Sequence, residues 1–92
     1  MTGIPSPANI PSESSLDVWP VNIPGEIIAV EGTDPVACRL LEMGIMEEEP
    51  VTVLGFAPLG DPMEIKLRDY QISLRLSEAK RVRVRPLPNP GE

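Results

Sequence analysis

Two short segments with strict two-residue alternation, separated by only two residues, constrain the fold of this chain more than any other feature. Each segment has one apolar and one polar face, as expected of half-buried strands. If Arg68 and Asp69 form a hairpin loop, each apolar residue of one segment lies opposite an apolar residue of the other. These pairs are Leu67 with Tyr70, Ile65 with Ile72, and Met63 with Leu74. A slip of one residue would turn one apolar set towards water, so the pattern predicts a single register.

A helix is predicted between the first two strands. Residues 26–31 predict the first strand, which Gly32 ends. Thr33 or Asp34 then caps a helix that ends at Gly44 in a left-handed conformation. Pro35 is suited to the first turn of this helix. The face that we expect to pack against the barrel consists of Val36, Ala37, Leu40 and Leu41.

The remaining strands are short, and their connections are short as well. Residues 50–58 predict the second strand, with a bulge or bend at Gly55. A turn of helix over residues 77–80 buries Ala79, and residues 81–85 form the last strand. The sequence therefore predicts a mainly β fold. It is a small SH3-like five-stranded barrel with one α-helix between the first two strands and a short helical turn before the last strand.

The two ends of the chain differ from this central part. Residues 1–15 are rich in Pro and Ser, so we expect a disordered tail there. The barrel is expected over residues 16–85, and residues 86–92 are expected to be a mobile tail. Trp19 is unusual in a polar segment, and we expect it to cover an open edge or end of the barrel.

Composition excludes several classes of function. Among the 92 residues there is no His and one Cys, which argues against His-based catalysis, disulfide scaffolds and His-rich metal sites. The net charge of −6 argues against a general nucleic-acid binder. The N-terminus resembles neither a secretory signal nor a membrane span, and a lone thiol suits a reducing compartment. We therefore expect a cytoplasmic protein that is not an enzyme and needs no cofactor.

Four short motifs in a fixed order resemble one known family. They are RLLEMG at 39–44, APLGDP at 57–62, ISLR at 72–75 and EA at 78–79. Together they resemble the FeoA family of ferrous iron transport accessory proteins, over about residues 25–84. The resemblance implies a cytosolic SH3-like barrel. It also implies a partner, the membrane Fe(II) transporter FeoB, on which such proteins act through protein contacts.

Two residues depart from the family pattern, because Glu48 and Asp69 stand where the family normally has Gly. A left-handed residue other than Gly or Asn costs about 1 kcal/mol, and Asp tolerates that conformation better than Glu. We therefore expect Asp69→Gly to be neutral or stabilising.

Few residues are candidates for metal binding or catalysis. Cys38 and Glu42 lie one helical turn apart, but two ligands without His do not make a selective Fe(II) site, and a partly buried structural Cys is the alternative. Residues 47–49 are three consecutive Glu that suit a solvated turn better than a cation site. Asp61 has no partner group for catalysis, and we expect its side chain to accept backbone N–H bonds and hold its loop.

The loop over residues 57–62 is the best candidate for a partner contact. Leu59 is apolar at the tip of a turn that would normally be polar, so it is either a plug for the barrel end or an anchor for a partner. Met46 and Phe56 extend the same apolar surface if they do not belong to the core. The candidate contact residues are Met46, Phe56, Pro58, Leu59 and Asp61.

Three other functions stay open on the sequence alone. An RNA-binding barrel would use the basic residues Arg75, Arg81, Arg83 and Arg85. A regulatory domain of a metal-dependent repressor has a similar barrel, but this chain has no helix-turn-helix. A metallochaperone would require Cys38 to retain Fe(II). Self-association is also possible, and the sequence does not determine it.

Overall fold

Six strands form one antiparallel sheet in the computed structural model of the chain, which describes residues 10–88. The strands are β1 (Ser14–Ser15), β2 (Gly25–Val30), β3 (Pro50–Phe56), β4 (Met63–Leu67), β5 (Tyr70–Leu74) and β6 (Val82–Pro86). Their order in the sheet is β1-β6-β2-β3-β4-β5. Helix α1 (Pro35–Glu42) lies between β2 and β3, and the single turn α2 (Leu76–Ala79) precedes β6. The predicted mainly β architecture is confirmed, with six strands rather than five.

The β4–β5 hairpin has the predicted register. Leu67 pairs with Tyr70, Ile65 with Ile72, and Met63 with Leu74. The expected irregularity in β3 is also present, because the register with β4 shifts between Val53 and Gly55. The two-residue alternation and the short loop therefore define the register of this part of the sheet.

The turn geometry corrects one expectation about the hairpin. Arg68 has a positive φ of 37°, whereas Asp69 is not among the described residues with positive φ. The left-handed residue of the loop is therefore Arg68 and not Asp69. Glu48 does adopt the left-handed conformation, with a φ of 71°. The reason given for expecting Asp69→Gly to be neutral or stabilising is thus wrong.

Helix α1 begins and ends where the sequence predicts. Asp34 is the N-cap residue, and its side chain accepts a hydrogen bond from the Ala37 amide at 3.4 Å. Gly44 follows the helix with a φ of 98°. The predicted apolar face is wrong at Leu41, whose side chain is 48% exposed. The buried residues of the helix are Ala37 and Leu40, which are three positions apart. The buried face is therefore too narrow to include Leu41.

The folded part of the chain begins earlier than predicted. Ser14 and Ser15 form β1, which pairs with β6, so the expected disorder of residues 1–15 does not extend to them. Leu16 is fully buried and Trp19 is 2% exposed, so these two side chains anchor the segment in the core. The Trp19 indole N–H donates to the Ile23 carbonyl at 2.7 Å. The expectations for residues 1–9 and 89–92 lie outside the described residues.

The core lies between the inner face of the sheet, α1 and the segment around Trp19. It combines side chains from all strands except β1 with those of the helices. Its buried members are Leu16, Trp19, Ile27, Leu40, Ile45, Val51, Val53, Met63, Ile65, Leu67, Leu74, Ala79, Val82 and Val84.

Candidate partner-binding loop

The loop between β3 and β4 is closed by its own backbone hydrogen bonds. The Ala57 amide donates to the Pro62 carbonyl at 2.9 Å, and the Gly60 amide donates to the Ala57 carbonyl at 2.7 Å. These two bonds form a tight turn whose tip is Pro58 and Leu59. The loop thus has a defined shape before it meets any partner.

The apolar side chains of this loop point away from the core. Leu59 is 97% exposed, so the interpretation of this residue as a plug for the barrel end is wrong. Pro58 is exposed as well, and Phe56 is 43% exposed at the end of β3. Because Phe56 pairs with Met63 across the sheet, it has a fixed position beside the loop. Phe56, Pro58 and Leu59 are therefore three exposed apolar residues within four positions of the chain, at the end of β3 and in the loop that follows it.

Asp61 connects this loop to the next part of the chain. Its Oδ1 accepts a hydrogen bond from the Leu76 backbone amide at 3.1 Å. The carboxylate accepts a backbone N–H, as we expected, but the donor belongs to α2 and not to the loop itself. Asp61 therefore holds the loop against the rest of the fold.

Met46 does not belong to the same surface. It is 48% exposed, but its carbonyl accepts from the Glu49 amide at 3.2 Å, in the turn that precedes β3. The Glu49 carboxylate in turn binds Arg68 beside the β4–β5 hairpin, with a distance of 2.7 Å from Oε1 to Nε. Pro50, at this end of β3, is about 20 Å from Phe56, at roughly 3.3 Å per residue over the seven-residue strand. The structure thus separates Met46 from the other candidate contact residues.

The metal candidates are not assembled into a cluster. Cys38 is an exposed free thiol on α1. Within residues 10–88, no group of three or more Cys, Asp or Glu side chains is arranged to hold a metal ion. The pair of Cys38 and Glu42 therefore has no third ligand in the described part of the chain.

The arginines of the last strand region are paired with carboxylates. Arg81 binds Asp34, Arg83 Nε lies 3.2 Å from Glu13 Oε2, and Arg85 Nε lies 2.9 Å from Glu26 Oε1. These ion pairs neutralise the basic stripe that an RNA-binding barrel would need.

The Arg81–Asp34 pair also perturbs both groups. The hydrogen bond from the Arg81 guanidinium holds the pKa of the Asp34 carboxyl below its usual value of 3.8. The same bond raises the pKa of Arg81. Since Asp34 also caps α1, this pair joins the start of the helix to the start of β6.

Sequence reasoning missed a cleft at one end of the sheet. The cleft has a volume of about 460 Å³. Its lining comes from four separate segments, and this is why no local pattern reveals it. The lining residues are Arg39, Met43, Pro62, Ser73, Arg75 and Glu78. The only sequence signal was the acidic residue of the EA motif, because Glu78 is buried and forms an ion pair with Arg39.

The fold and the site together define a class of protein. It is a small SH3-like barrel with an exposed, preformed apolar loop and, within residues 10–88, no metal-binding cluster. The family model described as the FeoA domain matches residues 15–86. The chain belongs to the FeoA family, which functions in ferrous iron transport.

Relatives and solved structures agree with this assignment. A fusion protein of Fe(2+) transport protein A and the Fe(2+) transporter FeoB from Porphyromonas gingivalis is 40% identical over 58 residues, or 63% of this chain. The chain spans only 7% of the length of that relative. The FeoA-like protein of Clostridium acetobutylicum has a TM-score of 0.76 at 30% identity, covering 86% of this chain and 92% of the other.

A second solved structure supports the SH3-like description. The zinc-complexed FeoA of Stenotrophomonas maltophilia, described as an SH3 domain protein, has a TM-score of 0.66 at 31% identity. The match covers 76% of this chain and 87% of that protein.

In residues 10–88 of this chain, no helix is both long enough and apolar enough to span a membrane.

Proposed function

We propose that this protein is a cytoplasmic, non-enzymatic accessory protein of ferrous iron uptake that binds a FeoB-type transporter through the surface of Phe56, Pro58 and Leu59. The observation that carries this proposal is the 97% exposure of Leu59 at the tip of a loop with a fixed shape. A leucine that is this exposed does not contribute to the stability of the isolated protein. It is suited to bury its side chain in a pocket of a partner.

The identity of the partner is supported by the fusion relative. In Porphyromonas gingivalis, the part that resembles this chain and a FeoB transporter belong to one polypeptide. Fusion in one chain keeps two modules at a high effective concentration. Such an arrangement favours a direct contact between the two modules, and we extend that contact to this chain.

The geometry of the loop is favourable for binding. Complete burial of a leucine side chain contributes about 1.5–3 kcal/mol. The two backbone hydrogen bonds of the loop, together with the Asp61 bond to α2, reduce the conformational entropy that binding would otherwise cost. Leu59 therefore has the properties of a binding hot spot, in which one anchor contributes much of the affinity.

Uptake of Fe(II) by cells tests the proposed function. A strain without this gene is complemented with the wild-type chain, with Leu59→Asp or with Met46→Asp. We expect Leu59→Asp to fail to restore the uptake rate, because a carboxylate cannot enter an apolar pocket without a large desolvation cost.

Met46→Asp is the matched control. It introduces the same charge on a half-exposed apolar residue at the other end of β3, so it should restore uptake like the wild type. Equal cellular amounts of the variants are checked by immunoblot. Full restoration by Leu59→Asp would exclude the loop from the function.

A further inference from the structure

Arg75 differs from every other arginine of the chain. The chain has six arginines, all within the described residues, and five of them form ion pairs with carboxylates. Those five are Arg39, Arg68, Arg81, Arg83 and Arg85. Within residues 10–88, Arg75 has no such partner. In a protein with a net charge of −6, an unpaired guanidinium is available to an external anion.

Arg75 lies on the 460 Å³ cleft described above. Glu78, the acidic residue of that lining, already forms one hydrogen bond and one ion pair within the protein. Its Oε1 accepts from the Arg75 backbone amide at 3.0 Å, and its carboxylate forms the ion pair with Arg39. The lining thus holds two guanidinium groups and one carboxylate, and its Ser73 hydroxyl donates to the Glu64 carboxylate at 2.7 Å. Because Arg39 pairs with Glu78, Arg75 is the cation of this lining that has no ion pair within residues 10–88. Met43 and Pro62 add apolar surface to it.

The cleft adjoins an open edge of the sheet. β5 is the last strand in the sheet order, and its neighbour is β4. Leu67 and Tyr70 flank the two-residue loop as a hydrogen-bonded pair, so the backbone groups of Gln71 and Ser73 point away from β4. Both residues are exposed, and neither amide donates to another described backbone group outside the strand pairing. Ser73 also lines the cleft.

We propose that this edge and cleft bind an extended, acidic peptide segment of a protein partner. The segment adds a strand to β5 through the backbone groups of Gln71 and Ser73, and one of its carboxylates pairs with Arg75. Main-chain hydrogen bonds then supply affinity, and the carboxylate supplies selectivity. An uncharged segment forms the same backbone bonds but leaves Arg75 without a counterion. This inference is independent of the transporter proposal, because it names a peptide chemistry and not the protein that carries it.

Titration by NMR tests the inference on the full chain. The probe is a capped seven-residue peptide in which valine and glutamate alternate, and its control has glutamine in place of glutamate. We expect the Gln71 and Ser73 amide resonances to shift with the acidic peptide and to gain protection from hydrogen exchange. We expect the glutamine peptide to bind at least about tenfold more weakly, since a hydrogen bond to a charged group is lost.

Three variants separate the contributions. Arg75→Gln should weaken binding of the acidic peptide by about tenfold or more, whereas Lys80→Gln, at a cation that does not line the cleft, should leave binding unchanged. Gln71→Pro should abolish binding while the fold is retained, because an edge strand accepts proline where its N–H faces outwards. The amide spectrum of each variant reports whether it is folded.

Several outcomes would overturn the inference. They are the absence of shifts at β5 with the acidic peptide, equal binding of the glutamine peptide, or unchanged binding by a folded Gln71→Pro variant. Shifts at β5 that depend on protein concentration without peptide would indicate pairing of two copies instead. That result would also contradict the proposal.

Discussion

At the scale of single residues, the turn before β3 contains a conformation that suits glycine. Glu48 has a φ of 71° because its amide donates to the Ile27 carbonyl at 2.7 Å, while the Ile27 amide donates to the Glu49 carbonyl at 2.9 Å. These bonds to β2 hold the turn in the left-handed region, and the Glu48 side chain is exposed. The strain is therefore imposed by the backbone and not balanced by side-chain contacts.

We predict that Glu48→Gly stabilises the protein by about 1 kcal/mol, because glycine adopts this φ without strain. In urea unfolding, this corresponds to a rise of roughly 0.5 M in the midpoint. The matched control is Asp69→Gly. Asp69 lacks a positive φ, so this change should instead destabilise by roughly 0.5–1 kcal/mol through the entropy of the unfolded chain. Equal effects of the two substitutions would contradict the explanation.

The Asp34–Arg81 pair predicts a dependence of stability on acid. The folded pKa of Asp34 is below its usual value of 3.8, because Arg81 donates to its carboxylate. The contribution of Asp34 is therefore fully present above the unfolded pKa and is lost as pH falls through the folded pKa. Arg81→Gln should return the Asp34 pKa towards 3.8, as measured by NMR titration of the carboxyl carbon. An unchanged pKa in that variant would show that Arg81 is not the cause.

At the scale of elements, the end of α1 packs closely against the β4–β5 hairpin. The Tyr70 hydroxyl donates to the Met43 carbonyl at 2.8 Å, so the first residue of β5 caps the C-terminal end of the helix. A β-carbon on Gly44 would overlap this hydroxyl oxygen. Gly44 is therefore required both by its φ of 98° and by the close approach of Tyr70.

A double-mutant cycle separates these two requirements. We predict that Gly44→Ala costs more than about 1 kcal/mol in the wild type, and measurably less in a Tyr70→Phe background that lacks the hydroxyl. The remaining cost in that background reflects the backbone conformation alone. Strictly additive effects in urea unfolding would mean that the hydroxyl does not restrict residue 44.

Elements with a local signal were predictable from the sequence, and long-range contacts were not. The alternation of β4 and β5, the two-residue loop and the helix signals at Asp34 and Gly44 all correspond to observed features. β1 has only two residues and pairs with β6, so no periodicity reveals it. The local pattern placed Leu41 on the buried face because periodicity alone does not show how wide that face is.

The candidate site was predictable in part for the same reason. The Pro, Gly and Asp residues around Leu59 indicate that it lies in a loop. Whether its side chain plugs the barrel end or is exposed was decided only by the folded structure. Met46 precedes the start of β3, whereas Phe56 is at the end of β3 that pairs with Met63 of β4. Their separation therefore depends on the pairing of the two strands. The cleft at Arg75 combines four segments, and the acidic residue of the EA motif was its only signal in the sequence.

At the scale of the whole molecule, most of the basic charge is used internally. Five ion pairs hold arginines against carboxylates of other segments, and within residues 10–88 the cations without such a partner are Lys66, Arg75 and Lys80. Pro62 ends the exposed loop and also lines the cleft, so the two proposed binding surfaces adjoin each other. One is apolar, and the other contains the Arg75 guanidinium. They therefore suit segments of different chemistry, and a single partner can contact both.

Binding to the transporter itself gives the sharpest test of the proposed contact. The full-length FeoB-type transporter of the same genome, in lipid nanodiscs, is titrated by calorimetry with the wild-type chain and with Leu59→Asp. We expect saturable binding of the wild type and at least about tenfold weaker binding of the variant, because the variant loses a buried anchor. No binding of the wild-type chain, or equal binding of both, would contradict the claim that the loop contacts the transporter.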